Sequence, residues 1–123
     1  MSWTVTIMGN PPSGNHANKI GRGFRRDGIA YPKIVKTDEA AAYMQAAAYL
    51  VKTTNKHGWK WNGGQVVCEY RFYLTRDADC TNLIKVVEDS IFPALGIDDK
   101  WALPRAMSKE IVKVNPRVEV TIT

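Results

Sequence analysis

Between Arg76 and Lys85 the chain reads Arg-Asp-Ala-Asp-Cys-Thr-Asn-Leu-Ile-Lys, and Gly96-Ile97-Asp98-Asp99 follows soon after. Carboxylates, an amide and an ammonium at such spacing suit a hard divalent cation and a phosphate ester. Phosphodiester hydrolysis needs a metal-activated water, a metal near the leaving oxygen and positive charge where negative charge develops. Asp79, Asp98 and Asp99 are the natural ligands, and magnesium requires only one or two carboxylates beside substrate phosphate. Lys85 then orients the water or stabilises the developing charge, and Asn82 caps the loop or touches a carboxylate. A plainer reading stands beside this one. Asp89 lies four residues after Lys85, the spacing of a surface ion pair, and aspartate is an ordinary turn residue at Asp98 and Asp99.

Regular elements must hold these groups. Val66 to Leu74 alternates as a strand that buries Val66, Cys68, Tyr70, Phe72 and Leu74, and it runs directly into the acidic loop. A helix leaves the loop, capped by Thr81 or Asn82, with Leu83, Val86, Val87, Ser90, Ile91 and Ala94 inward; Pro93 ends it near Phe92 or kinks it. Helical side chains lean towards the N-terminus, so the Lys85 ammonium is expected over the acidic loop. Folding this helix back along the strand would return Asp98 and Asp99 towards Asp79.

Elsewhere, Trp3 to Met8 reads as a strand stopped by Gly9-Asn10-Pro11-Pro12. Ser13 to Lys36 is polar and glycine-bearing, with Lys19, Arg22, Arg25, Arg26, Lys33 and Lys36 against Asp27 as its only acid. It reads as a loop without regular structure, either a solvated connection or an arm that neutralises phosphates. Thr37 caps a helix with Asp38 and Glu39 in its first turn, an apolar stripe through Tyr43, Ala47 and Leu50, and Gly58 past its end. Trp59 and Trp61 cover a core edge or an interface, or stack on bases. Ala102 to Val114 and Arg117 to Thr123 are strands around an Asn115-Pro116 turn. The expected fold class is α+β, a small mixed β-sheet with two packed helices, in a single domain over residues 1–123.

With 17 Lys+Arg against 12 Asp+Glu, the net charge of +5 favours a polyanionic partner, nucleic acid first. Two cysteines make neither a disulfide framework nor a zinc pattern, so a reducing, cytoplasmic setting is expected. No apolar run is long enough for a leader or a membrane span, and no membrane partner is expected.

Asn10-Pro11-Pro12-Ser13-Gly14-Asn15, the basic loop, the Asp-x-x-Asn-x-x-Lys spacing of Asp79, Asn82 and Lys85, then Asp89, Asp98-Asp99 and the closing Arg117-Val118-Glu119-Val120-Thr121-Ile122 together resemble the RusA family of Holliday junction resolvases. The resemblance implies a small homodimeric endodeoxyribonuclease of phage or prophage origin. Such an enzyme nicks four-way DNA junctions symmetrically with magnesium or manganese, in recombination and repair. Together with the residue chemistry it gives catalytic roles to Lys85, Asp79 and Asp99 and DNA contacts to Lys19, Arg22, Arg25, Arg26, Lys33, Arg76 and Asn82; the metal is held by Asp79, Asp98, Asp99 and water, or Asp77 supplies a further carboxylate through a shifted loop. The usual family pattern is Asp-x-Asp-Asn-x-x-Lys, and here Thr81 stands where the second acid falls. A hydroxyl is a poor magnesium ligand, so a junction-binding protein with weakened catalysis is the alternative. A scaffold dimer using Trp59, Trp61 and the basic loop for protein contacts is a third reading.

Overall fold

The computed structural model describes residues 1–13 and 18–123. Its two terminal strands find each other: Trp3–Met8 (β1) pairs antiparallel with Arg117–Ile122 (β6), Trp3 opposite Ile122 and Met8 opposite Arg117. Alternation buries Trp3, Val5 and Ile7 on the same side as Val118, Val120 and Ile122 and leaves threonines on the other. Val66–Leu74 (β4) adds antiparallel to β6, and Ala102–Ile111 (β5) adds parallel to β4. The sheet order is β1-β6-β4-β5, a mixed sheet as expected.

Two helices cover its apolar face. Asp38–Thr53 (α1) starts where Thr37 Oγ1 accepts the Ala40 N–H at 3.2 Å, with Asp38 and Glu39 against the positive end of the helix dipole. Cys80–Leu95 (α2) joins β4 to β5, the crossover that a parallel pair requires. Ala47 and Val51 of α1 and Leu83, Val87 and Ile91 of α2 share one core with Tyr70, Phe72 and Leu74. Trp59 lies 6.1 Å from Trp3 and packs against the core's edge, whereas Trp61 is exposed and lies 6.4 Å from Trp101.

Three sequence expectations need correction. The basic segment is no irregular loop: Asn18–Phe24 (β2) and Ala30–Lys36 (β3) form an antiparallel hairpin. Two of its glycines leave room for larger residues of β3, Gly23 for Tyr31 directly opposite and Gly21 for Val35 on the diagonal. A Cβ on Gly23 would come within 2.5 Å of the Tyr31 ring, and one on Gly21 within 2.9 Å of Val35. Secondly, α2 starts at Cys80 with Asp79 as its cap, ahead of Thr81 and Asn82, and it runs through Pro93 to a left-handed Gly96. Pro93 removes the N–H that would bond back to the Asp89 carbonyl, and the helix ends two residues later at Leu95. Thirdly, β5 ends at Ile111 and not at Val114. Gly14 and Asn15 of the family-like segment lie outside the described residues.

Candidate active site

Strand β4 ends and α2 begins at a cleft of ≈ 490 Å³ lined by Asn10 to Ser13, Glu39, Arg76, Asp77, Asp79 and Asn82. Asn10 fixes its wall. The Asn10 Nδ2 donates to Thr75 Oγ1 at 2.8 Å while Thr75 N donates to Asn10 Oδ1 at 3.1 Å, a two-bond clamp between the exits of β1 and β4. Nothing in the sequence beyond an Asn-Pro-Pro turn signalled that role. Asp79 Oδ1 accepts the Thr81 N–H at 3.0 Å and so caps α2. Asp77 Oδ1 accepts from Lys109 Nζ at 2.7 Å, and Lys109 also donates to the Ala78 carbonyl at 3.2 Å. That lysine's hydrogen bond and charge hold the Asp77 carboxyl below its ordinary range, and the same bond raises Lys109. Lys109 comes from β5 and escaped the sequence reading, because an exposed strand lysine carries no local signal.

A second cleft, ≈ 440 Å³, is lined by Lys36, Met44, Asp89, Phe92, Pro93, Ile97, Asp98 and Asp99. The Lys85 ammonium reaches towards this group: its Nζ lies 3.0 Å from Asp89 Oδ1 and 3.3 Å from Asp99 Oδ2. The expected lean towards the acidic loop therefore loses to two ion pairs, one with Asp89 further along α2 and one with Asp99 in the turn beyond it. Asp89 first, and Asp99 after it, raise the Lys85 pKa against a smaller opposing effect of burial. Asp98 caps the 3-10 turn Asp99–Trp101, its Oδ1 accepting the Lys100 N–H at 3.0 Å. Beside them Glu88 is buried, and its Oε1 has no hydrogen-bond partner among the described residues. Burial raises the Glu88 pKa, which Lys85 opposes and Asp99 and Asp89 reinforce.

The acidic residues thus divide, Asp77 and Asp79 on one cleft and Asp98 and Asp99 on the other. Among the described residues no three of the His, Cys, Asp and Glu side chains converge as a metal-holding group. A closed protein cage is therefore not formed by the described residues. A sparse site does fit, since magnesium keeps several waters and takes one or two carboxylates together with substrate phosphate. Of the basic residues, Arg76 lines the first cleft with Asn82, and Lys36 lines the second. Arg25 is tied to Asp27 at 3.1 Å, while Arg26 and Lys33 are exposed on the hairpin. The side chains of Lys19 and Arg22 lie outside what the structure describes. No described helix is long and apolar enough to cross a membrane.

The family model of the endodeoxyribonuclease RusA matches residues 10–123. Its first matched residue is Asn10, the side chain that clamps Thr75. No curated protein matches the chain.

Proposed function

Because the chain belongs to the RusA family of endodeoxyribonucleases, we propose that it is a metal-dependent, structure-selective nuclease that nicks four-way DNA junctions symmetrically as a homodimer. The observation that carries this reading is the Lys85 ammonium held between Asp89 and Asp99, beside a cleft that also receives Asp98. An ammonium whose pKa is raised stays charged at neutral pH, so Lys85 acts as a fixed positive charge towards a phosphate and not as a general base. Asp98 and Asp99 on one cleft, with Asp79 and Asp77 on the other, are the carboxylates that would hold magnesium or manganese. When bound, such an ion supplies a Lewis acid and a water of lowered pKa.

The remaining residues bind and orient DNA. Arg76 and Asn82 face a strand entering the first cleft, and Arg25, Arg26, Lys33 and Lys36 neutralise phosphates along the hairpin, with Lys19 and Arg22 assigned there from the sequence. A dimer is supported by β5, which among the described residues bonds to β4 on one side only and is exposed over almost all of its length. Two-fold symmetry gives each of two opposed strands its own site.

Thr81 favours a second reading, a junction-binding protein with weakened catalysis, because it occupies the place of the family's usual second carboxylate in the first turn of α2. The experiment that separates the two is incubation of a mobile four-way junction and of linear duplex with magnesium, manganese or chelator. Paired symmetric nicks in the junction only with metal bear out the nuclease. Tight, salt-sensitive junction binding without nicks in either metal favours the second reading.

A further inference from the structure

The hairpin arm bonds to no other strand of the fold among the described residues, and β3 is exposed along its length apart from a half-buried Val35. A lone two-stranded ribbon is marginal in water. Here Tyr31 directly across from Gly23, and Val35 on the diagonal to Gly21, stiffen it on one face. On the other face Ile20 and Ile34 are directly opposed across the strands, 80% and 75% exposed. Such a pair is an apolar platform without a described occupant. Its surroundings are cationic: Lys36 follows on the same face, Arg26 lies at the ribbon's tip and Lys33 projects from the opposite face, while the arm's acid, Asp27, is bound to Arg25. A second copy of a chain with net charge +5 would bring like charge to that ring. Nucleic acid brings phosphates for the cations and flat, unstacked base faces for the isoleucines.

We propose that the arm enters the branch point of the DNA and that the Ile20–Ile34 pair packs against a base-pair face opened there, with Arg26, Lys33 and Lys36 on flanking phosphates. Aliphatic side chains inserted at opened base steps are an established physical solution for holding distorted DNA. Lys36, the last residue of the arm, also lines the cleft of Asp98 and Asp99, so a strand held on the arm is delivered to the Lys85–Asp99 pair. The proposal rests on the reading that this protein acts on branched DNA.

The test compares wild type with the double variant Ile20→Thr/Ile34→Thr, which keeps β-branched side chains on exposed positions. Binding to a four-way junction carrying 2-aminopurine at the branch, and to linear duplex, is measured in chelator at fixed salt. Expected are a fluorescence rise on binding of wild type, its loss in the variant, at least about a tenfold loss of junction affinity, and duplex affinity within about twofold. Unchanged fluorescence and junction affinity in the variant overturn the proposal. So does a variant that sediments as a monomer where wild type is a dimer without DNA, which assigns the isoleucines to a second copy. Wild type that shows no preference for junction over duplex defeats the branched-DNA reading itself, and this proposal with it.

Discussion

The Lys85 ammonium sits 3.3 Å from the Asp99 carboxylate, fourteen residues further along the chain. With Asp89 it forms an exposed network, 62% of the Lys85 side chain remaining accessible, and exposed pairs contribute little to folding, about 0–1 kcal/mol. Loss of this lysine should therefore spare the fold and strike the chemistry. Lys85→Met is expected to lower single-turnover junction cleavage at least about 100-fold, the scale of one lost charge-stabilising group, with the melting temperature nearly unchanged. Cleavage within a few-fold of wild type would remove Lys85 from the site.

Asp79 performs two tasks that substitution can separate. Its Oδ1 caps α2 through the Thr81 N–H, a job that asparagine does as well as aspartate. Asp79→Asn should keep the melting temperature and junction binding and abolish cleavage; Asp79→Ala should also lose about 1 kcal/mol of stability as the cap disappears. Thermal melts and nicking assays on both variants decide the matter. Full cleavage by Asp79→Asn would leave the residue a cap alone.

Much of this architecture was legible wherever local pattern and tertiary environment agreed. Strand β4 begins at Val66 and ends at Leu74 as its alternation indicates, and Thr37 caps α1 as its position before two acids suggests. The hairpin was not legible, because Gly21 and Gly23 signal flexibility until Val35 and Tyr31 are seen across the ribbon. Nor was the α2 cap, since Asp79, Thr81 and Asn82 are all favoured cap residues within four positions and only the backbone path selects Asp79. The division of the acidic residues between two clefts follows from α2 itself. Sixteen helical residues extend roughly 24 Å, and no local pattern tells how far the chain returns before β5 begins.

Glu88 makes stability depend on pH in an unusual direction. Its folded-state pKa is raised above the ordinary value of 4.5, first by burial. Below that value both folded and unfolded carboxyls are protonated and no cost arises. As pH rises through it, the unfolded chain releases its proton more readily, so folding loses stability until the raised pKa is passed. Glu88→Gln removes the charge at similar volume. It should raise the melting temperature by a few degrees at pH 7, with the gain fading towards pH 4. A gain of equal size at both pH values would point to packing or hydrogen bonding, and a loss at pH 7 would mean that the ionised form has a partner there.

Thr81 offers the most direct test of whether this chain cuts DNA well. Its backbone N–H is already engaged by Asp79, its side chain is exposed, and it stands in the first turn of α2, where the helix dipole favours an acid by about 0.3–1 kcal/mol. Thr81→Asp is therefore expected to fold at least as stably as wild type and to place a second carboxylate two residues from Asp79. If the missing acid limits metal affinity, the magnesium concentration for half-maximal cleavage should fall and the rate at low metal should rise, with metal-free junction binding little changed. A variant that cleaves no better at any magnesium or manganese concentration would show that the threonine is compensated elsewhere, with Asp77 the first residue to substitute next.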